Sequence, residues 1–454
     1  MICPLYRLSQ SNPEAPYLIL NDRTISFAEL HRQVLACEIE LLPYPTTMPL
    51  AIDSKNPYDL MSWLMAAART GHWIAIPSSK DPPLQRDRHL QTISVYTESL
   101  QWTLPEPLSC SMDASSGAAS TIAHPQRRWC MLFTSGSSGT PKAVVHSFFG
   151  LWSSAEFSHR NIPFSIGHRW LLSLFLWHIG GLMIPIRALY HGASVIEKDL
   201  DINMGAQVSR DQITHLSVVA TQLHDLLQGD HNLSSLIGVL VGGGTIPSKL
   251  VQRSHQRSIP IHTTYGMTEL GSQLSTTPPK SSLQILESAG IPLGDWRIRL
   301  SPEKEIQVQG SPLFLGYWNG MYIEDPRDEG GWFATNDRGT LKDGLLYLNG
   351  RVDQMFISGG ENIHPEEIEA VLHDLGIFSI VIPVPDDRYG ERPVAFVLAD
   401  LSPDVVQQID SAFTIHLPTF KHPDAIFSWP QEVDTYKPSR RALQRIAIEL
   451  MALK

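Results

Sequence analysis

The spacing of apolar and polar residues along the chain predicts its fold class. Short apolar runs such as Met131–Thr134, Trp170–Leu174 and Ile261–Thr264 predict strands and are followed by stretches with helical spacing. This alternation predicts α/β units around largely parallel sheets. After about Asp295 the pattern changes to short β segments, such as Glu305–Gln309, separated by glycine-rich turns. We therefore expect an α/β fold in which a β-rich subdomain follows the strand–helix units.

A third pattern begins near Asp353 and predicts a separate small α+β domain. Two apolar runs and two helical stretches follow this point, at Ile377–Pro383, Val394–Leu398, Pro365–Leu375 and Arg441–Leu450. A segment of about a hundred residues is long enough to fold as a domain. We predict a large N-terminal domain over residues 1–352 and a small, mobile C-terminal domain over residues 353–454.

The first hundred residues contain local signals for individual elements. Ser26-Phe-Ala-Glu29 has the sequence of a capping box and predicts a helix through about Leu41. Leu60–Thr70 has the spacing of a second helix, and Trp73–Ile76 predicts a strand that Pro77 ends. Residues 103–128 are rich in Pro, Ser and Ala, which favours a loop.

Composition and charge exclude several classes of protein. The 454 residues include 35 basic and 46 acidic side chains, a net charge of −11, which argues against a nucleic-acid platform. The four cysteines form no CxxC pair, so no zinc site or disulfide framework is indicated. The apolar stretch Trp170–Tyr190 contains Pro185 and Arg187, which a membrane span disfavours. With no signal-peptide pattern at the N-terminus, we expect a cytoplasmic protein without a membrane span.

The most informative motif is the segment Thr134–Lys142, which directly follows an apolar strand. Its glycines permit close backbone approach, and its hydroxyls and N–H groups can donate to phosphate oxygens. Gly139 and Lys142 are separated by Thr-Pro, so the segment is not a Walker A loop. Taken alone it is a phosphate-binding loop or a flexible Ser/Gly loop.

Two further segments follow apolar strands. Tyr265-Gly-Met-Thr-Glu269 places a carboxylate that suits Mg²⁺ beside a hydroxyl that suits a phosphate, although by itself the segment better fits a turn capped by threonine. Gly242–Gly244 permits a flat ring to pack against backbone, which is a weak signal by itself.

The C-terminal third carries the remaining polar candidates. Asp337 can accept two hydrogen bonds from a ribose diol, and Arg351 can reach a diol or a phosphate. The segment Ser358–Glu367 and the isolated Lys437 follow. Seen singly, these residues also fit a helix cap, a surface ion pair and a solvated charge.

Taken in order, these segments resemble the adenylate-forming superfamily of acyl-CoA synthetases, nonribosomal adenylation domains and luciferases. The resemblance covers essentially the whole chain and implies activation of a carboxylate by ATP, with Mg²⁺ as cofactor and a thiol as acceptor. The residues it assigns to ATP are Thr134, Ser135, Gly136, Ser137, Ser138, Gly139, Thr140, Lys142, Gly242, Gly243, Gly244, Tyr265, Gly266, Asp337 and Arg351.

The same resemblance assigns the catalytic and hinge residues. Thr268 would contact the α-phosphate and Glu269 would bind Mg²⁺, while Lys437 would bridge the attacking carboxylate and the α-phosphate. His178 matches the histidine at the acyl pocket, and Asp353 matches the hinge about which the small domain rotates. Tyr436 and Pro438 beside the lysine depart from the usual pattern of the superfamily and imply a stiffer loop.

Several details are more narrowly similar to the 2-succinylbenzoate–CoA ligase family of menaquinone and phylloquinone biosynthesis. They are Lys142–His146, Trp177-His178 with Arg187, Thr221–Leu223, Gly243–Pro247 and Ala334–Arg338. A dicarboxylic substrate has one carboxylate that is not activated, and a buried, unpaired charge is costly. Arg187 is the first candidate to pair with it, followed by His146 and Thr221, although Arg187 equally suits a structural ion pair.

Other functions stay open at this point. Two alternatives are a ligase for another small aryl or acyl acid and a stand-alone adenylation enzyme that loads a carrier protein. A non-catalytic relative is disfavoured by the presence together of Lys142, Glu269, Asp337, Arg351 and Lys437. Because the sequence ends shortly after Lys437, we expect free coenzyme A as acceptor, and a homodimer is possible.

Overall fold

The structure is a computed structural model that describes residues 1–78, 104–105, 121–134, 142–244, 246–359, 361–386, 388–431, 433 and 439–452. Its helices are α1 (Pro4–Ser11), α2 (Phe27–Leu41), α3 (Pro57–Thr70), α4 (Phe148–His159), α5 (Ile179–His191), α6 (Met204–Asp211), α7 (Ala220–Gln228), α8 (Ser248–Gln256), α9 (Leu283–Leu286), α10 (Pro365–Asp374), α11 (Pro403–His416) and α12 (Arg440–Ala452).

The strands of the large part of the chain are β1 (Pro16–Ile19), β2 (Thr24–Ser26), β3 (Leu50–Ala51), β4 (Ile74–Ile76), β5 (Arg128–Thr134), β6 (Lys142–Ser147), β7 (Arg169–Leu171), β8 (Ser194–Ile196), β9 (His215–Val218), β10 (Gly238–Val241), β11 (Ile261–Tyr265), β12 (Ser275–Thr276), β13 (Ile291–Pro292), β14 (Arg297–Leu300), β15 (Glu305–Gln309), β16 (Gly316–Trp318), β17 (Ile323–Glu324), β18 (Phe333–Lys342) and β19 (Leu345–Arg351). The C-terminal strands are β20 (Phe356–Ser358), β21 (Glu361–Ile363), β22 (Ser379–Asp386), β23 (Gly390–Val397) and β24 (Ala425–Ser428).

The largest sheet has the order β13-β12-β11-β10-β9-β7-β8-β1-β2. Its six inner strands, from β11 to β1, run parallel, and β2, β12 and β13 close the edges in antiparallel pairing. A second sheet, β17-β16-β6-β5-β4-β3, is parallel only across β3, β4 and β5. The prediction of largely parallel sheets therefore holds for the first sheet, and the second sheet is mixed.

Two smaller sheets complete the described fold. Strands β14, β15, β18 and β19 form an antiparallel sheet, which is the β-rich subdomain that the sequence predicts. Strands β20 to β24 form the last sheet, against which α10 and α12 pack. The fold class is therefore α/β with a large N-terminal part and a small α+β C-terminal part. The boundary at 352/353 and the mobility of the small part stay predictions.

Local signals place the first helices. The Ser26 hydroxyl accepts the Glu29 N–H at 3.2 Å, so α2 begins with the predicted cap. Helix α3 begins one turn earlier than the prediction of Leu60, because the Asn56 side chain caps the Tyr58 N–H and Pro57 occupies the first helical position.

The apolar stretch 170–190 forms a strand and a helix, with one correction to its predicted bounds. Strand β7 ends at Leu171 and not at Leu174, since the Ser173 hydroxyl turns to donate to the Ser217 carbonyl. Helix α5 then runs beneath the large sheet with Leu182, Met183 and Ile184 fully buried. No helix in the described part of the chain is both long enough and apolar enough to cross a bilayer.

His215, at the start of β9, gives the unfolding free energy a dependence on pH. Burial is the main cause that lowers the pKa of this imidazole, to about 3, while His168 nearby adds a repulsive charge. Between about pH 6.5 and 3 the unfolded chain therefore binds a proton that the folded chain does not. Stability from this residue is present above pH 6.5 and falls as the pH falls.

We expect His215→Phe to flatten this dependence. Urea unfolding between pH 7 and 4.5 should give a slope that is smaller than that of the unaltered protein by up to about 1.4 kcal/mol per pH unit. The absolute stability at pH 7 is not the test, because the substitution also removes the 3.0 Å contact of His215 Nε2 with the Pro163 carbonyl. Equal slopes in both proteins would contradict the assignment.

Candidate active site

The candidate residues gather where the parallel strands of the large sheet end. Gly242–Gly244 follow β10, Tyr265 is the last residue of β11 with Gly266–Glu269 after it, and these two strands are neighbours. In open α/β sheets, ligands bind in the crevice outside the carboxyl ends of the strands. A Cβ atom at Gly266 would lie 1.4 Å from the Ser272 carbonyl oxygen, so only glycine permits this close turn.

Tyr265, Asp337 and Arg351 form one hydrogen-bonded group. The Tyr265 hydroxyl donates to Asp337 Oδ2 at 2.5 Å, and Arg351 Nη1 donates to Asp337 Oδ1 at 2.9 Å. Strands β18 and β19 pair Asp337 directly with Arg351. Burial, with the Asp337 charge second, raises the pKa of the Tyr265 phenol, so it stays a neutral donor. The group presents a fixed carboxylate within β18, which suits a diol.

Glu269 is the buried carboxylate of the site. Its side chain lies in a short 3₁₀ helix, Thr268–Leu270, and is 5% exposed, and Oε1 accepts the Tyr317 hydroxyl at 3.0 Å. The Lys142 ammonium lies 4.9 Å from the centre of the same Tyr317 ring. Burial is the main cause that raises the Glu269 pKa, which a nearby cation would reverse. Thr268 precedes Glu269 and is half-buried.

The ends of the predicted phosphate loop lie opposite each other. Thr134, the last residue of β5, pairs in register with Lys142, the first residue of β6. The residues between them, Ser135, Gly136, Ser137, Ser138, Gly139 and Thr140, lie outside the described residues, as does Lys437. Their predicted roles stay predictions.

Arg187 is a buried cation on α5. It is 1% exposed, and Nη2 donates to the Gln273 side chain at 2.8 Å and to the Ser272 hydroxyl at 3.3 Å. Its Nε and Nη1 atoms are buried without a hydrogen-bond partner among the described residues, and no described carboxylate pairs with it. Burial lowers its pKa to about 9, so it remains a cation at neutral pH. The structural ion pair considered above therefore has no described partner, and the free N–H groups suit a ligand anion.

His146 and Thr221 are also buried donors without described partners. Neither ring nitrogen of His146, in β6, has a hydrogen-bond partner among the described residues, and burial lowers its pKa to about 4. The Thr221 hydroxyl, in the first turn of α7, is likewise without one. His178 is half-buried at the position that precedes α5, and its carbonyl accepts the Gly181 and Leu182 N–H groups. Their contact with an acid stays a prediction.

Asp353 lies in a short 3₁₀ helix, Val352–Gln354, between β19 of the antiparallel sheet and β20 of the last sheet. A short connection of four residues, 352–355, between two sheets is where a hinge is expected, and hinge residues are commonly found at the ends of elements. Rotation about it stays a prediction.

The carboxylates of the site fit a magnesium ion carried by a nucleotide. Mg²⁺ keeps several waters and is usually bound by one or two carboxylates together with substrate phosphates. The described residues hold no cluster of three or more His, Cys, Asp or Glu side chains that would form a complete cage. Glu269, buried and 3.0 Å from a neutral hydroxyl, is a single anchoring ligand of the kind that this coordination needs.

Three residues of the site were not singled out by the sequence analysis, although one of them, Glu366, lies within the candidate segment Ser358–Glu367. Tyr317 contacts both Glu269 and Lys142, Gln273 contacts Arg187, and Glu366 accepts the Arg351 N–H at 3.2 Å. Each residue is many positions away from its partner in the sequence, and only the fold brings the two together. No local spacing therefore predicts these contacts.

Comparison with known proteins shows the family of the chain. Residues 61–318 match the AMP-binding enzyme family. A 2-succinylbenzoate–CoA ligase of Escherichia coli (strain K12) is 34% identical over 446 residues, which cover 96% of each chain. A ligase of the same name from Salmonella typhimurium is 36% identical over 74% of this chain and 72% of its own.

A solved structure gives the same result for the fold. A variant of E. coli MenE with bound OSB-AMS superposes with a TM-score of 0.83 at 27% identity, over 98% of both chains. The match covers the small C-terminal part as well as the large sheets. The chain therefore belongs to the AMP-binding enzymes and, among them, to the 2-succinylbenzoate–CoA ligase family, and is an AMP-forming acid–thiol ligase.

Proposed function

We propose that this chain activates 2-succinylbenzoate with ATP and transfers the acyl group to coenzyme A, giving 2-succinylbenzoyl-CoA for menaquinone or phylloquinone biosynthesis. The observation that carries the choice of acid is Arg187, a buried cation with two N–H-bearing nitrogens that lack described partners. An uncompensated buried charge is costly, so its presence suggests a ligand that supplies the counter-charge. The second carboxylate of 2-succinylbenzoate is such a counter-charge.

The reaction has two steps whose atoms balance. One carboxylate oxygen of the acid attacks the α-phosphorus of ATP, pyrophosphate leaves, and an acyl-adenylate forms. The thiol sulfur of coenzyme A then attacks the acyl carbon, its proton is lost, and AMP leaves. In the first step negative charge develops around the α-phosphorus, so positioning and placed donors are the main catalytic tasks.

The residues of the site divide into three roles. Asp337, held by Tyr265 and Arg351, accepts the ribose hydroxyls, while Gly242–Gly244 lie flat beside the adenine. Thr134 and Lys142 flank the loop that holds the β- and γ-phosphates. Thr268 serves the α-phosphate, and Glu269 serves the metal. Mg²⁺, held by Glu269 and the phosphates, would offset the charge of the leaving pyrophosphate.

The acid would lie between α5 and the strand ends of the large sheet. Arg187 would pair with the carboxylate that is not activated, and Thr221 and His146 would supply further buried donors. His178, which precedes α5, would line the same pocket. Lys437 would then neutralise the attacking carboxylate and the α-phosphate together.

The acceptor and the partners complete the proposal. We infer that free coenzyme A takes the acyl group and that the small domain rotates about Asp353 between the two steps. Support comes from the position of Asp353 between two sheets and from relatives that are named CoA ligases. A separate carrier protein is the alternative acceptor. For the oligomeric state, the proposal allows a homodimer.

The proposal is tested by following both products. Purified protein with ATP, Mg²⁺ and 2-succinylbenzoate should release pyrophosphate, and adding coenzyme A should give the thioester, identified by its mass. Omission of Mg²⁺ or addition of EDTA should stop the first step. Thioester formation only with a phosphopantetheinyl carrier protein, and none with coenzyme A, would contradict the proposed acceptor.

A further inference from the structure

Glu366, in the first turn of α10, connects the small C-terminal part to the candidate nucleotide site. Its Oε1 atom accepts the backbone N–H of Arg351 at 3.2 Å, across fifteen positions of sequence. The guanidinium of the same Arg351 donates to Asp337, which also accepts from Tyr265. Two hydrogen bonds, joined by the side chain of Arg351, therefore connect α10 to the Asp337 carboxylate of the candidate nucleotide site.

The backbone conformation at Gly350, beside this contact, leaves room for the Glu366 carboxylate. Gly350 has a φ of +92°, and a Cβ atom there would lie 2.7 Å from the Glu366 carboxyl carbon. Only glycine therefore allows the carboxylate to lie flat against this turn. The N-terminal position of Glu366 in α10 also favours a negative charge through the helix dipole.

The second oxygen of the same carboxylate has a different environment. Oε2 of Glu366 is buried and has no hydrogen-bond partner among the described residues. Burial is accordingly the main cause that raises the Glu366 pKa, with Arg440 and the Arg351 N–H as opposing influences. A carboxylate oxygen that is buried without a partner is costly, so this contact is a poor choice for stability alone.

A neighbouring contact crosses between the same two parts of the chain. Arg338, next to Asp337 in β18, places Nη1 3.1 Å from Nε2 of His364, the residue that precedes α10. Helix α10 also lies against β19, which carries Arg351, and against α8, a helix that packs on the large sheet. The start of α10 is therefore held against the strand pair that presents Asp337 and Arg351.

We propose that Glu366 is a positioning residue that fixes the Arg351 backbone, and through it the Asp337 carboxylate, for binding the ribose of ATP. This inference rests on the proposed function only in taking Asp337 and Arg351 as nucleotide ligands. Because the carboxylate belongs to the small C-terminal part, the affinity for ATP depends on how that part is docked. Glu366 contacts the backbone of Arg351 and would position this residue without binding the nucleotide itself.

The experiment measures ATP binding directly, so that it does not depend on the identity of the acid. Isothermal titration calorimetry with Mg²⁺ and ATP should show a dissociation constant raised about five- to tenfold by Glu366→Ala, which is the effect of losing one hydrogen bond of ordinary strength. Glu366→Gln keeps an oxygen that accepts the Arg351 N–H and should restore most of the affinity. Asp374→Asn, which removes an exposed carboxylate from the other end of α10, should leave it unchanged.

A pyrophosphate-release assay supplies the second readout. Glu366→Ala should raise the KM for ATP and leave the KM for the acid close to that of the unaltered protein. A purely structural role would instead lower the unfolding temperature and change both constants. An unchanged dissociation constant for ATP in Glu366→Ala, or a loss that Glu366→Gln does not restore, would overturn the inference. Failure of the unaltered protein to use 2-succinylbenzoate would overturn the proposed function, and the calorimetric result would still decide the role of Glu366.

Discussion

Arg187→Met is expected to remove the use of a dicarboxylic acid without loss of stability. Methionine is unbranched, flexible and apolar, so it can fill much of the space beside Trp170, whose ring centre lies 5.5 Å from the guanidinium. Replacing a buried charge that lacks a counter-charge by an apolar side chain is neutral or stabilising. The unfolding temperature of the ligand-free variant should therefore equal or exceed that of the unaltered protein.

Activity of Arg187→Met with the dicarboxylic acid should fall, even though its stability is kept. Without Arg187 the second carboxylate of 2-succinylbenzoate would be buried unpaired, at a cost of about 3 kcal/mol, so the KM for this acid should rise by at least about 100-fold. Benzoate, which has no second carboxylate, should be used no worse than before. Arg160→Met, which replaces an exposed arginine at the end of α4, is the matched control and should change neither constant. A fall in stability with equal losses for both acids would indicate a structural arginine.

Lys437→Ala should abolish adenylate formation and spare the second half-reaction. The lysine is assigned by motif position, and it would neutralise charge that develops between the carboxylate and the α-phosphate. Loss of one such donor typically costs about 10²–10³ in rate, or about 3–4 kcal/mol. Pyrophosphate release with ATP and the acid measures the first step.

The second step is measured separately, with preformed acyl-adenylate and coenzyme A. Lys437→Ala should retain much of this activity, since the lysine would be withdrawn when the small domain rotates about Asp353. Lys421→Ala, which removes a lysine paired with Glu367 elsewhere in the small domain, serves as the control for adenylation. Equal loss in both half-reactions would contradict the assignment of Lys437.

The sequence predicts the elements well where the signal is local. Ser26 and Glu29 cap α2 as expected, and β15 has the predicted bounds of Glu305–Gln309. Bounds fail where a distant contact decides them, as at the end of β7, where Ser173 turns to the Ser217 carbonyl. Periodicity describes neighbours in sequence and contains no information about such pairings.

The candidate site shows the same division. The motifs assign Tyr265, Asp337 and Arg351 to the same nucleotide site, and the structure brings them into hydrogen-bonded contact. Tyr317 and Glu366 were not predicted, because a tyrosine after a glycine and a glutamate in a first helical turn are ordinary residues. Their partners become evident only when β16 and α10 are folded against the site.

The central claim is that this ligase acts on 2-succinylbenzoate, and a substrate panel tests it most directly. Pyrophosphate release would be measured with ATP, Mg²⁺ and coenzyme A for 2-succinylbenzoate, benzoate and a fatty acid, and each thioester identified by mass. We predict the highest kcat/KM for 2-succinylbenzoate, with 2-succinylbenzoyl-CoA as product. Turnover of benzoate or the fatty acid with no turnover of 2-succinylbenzoate would contradict the account.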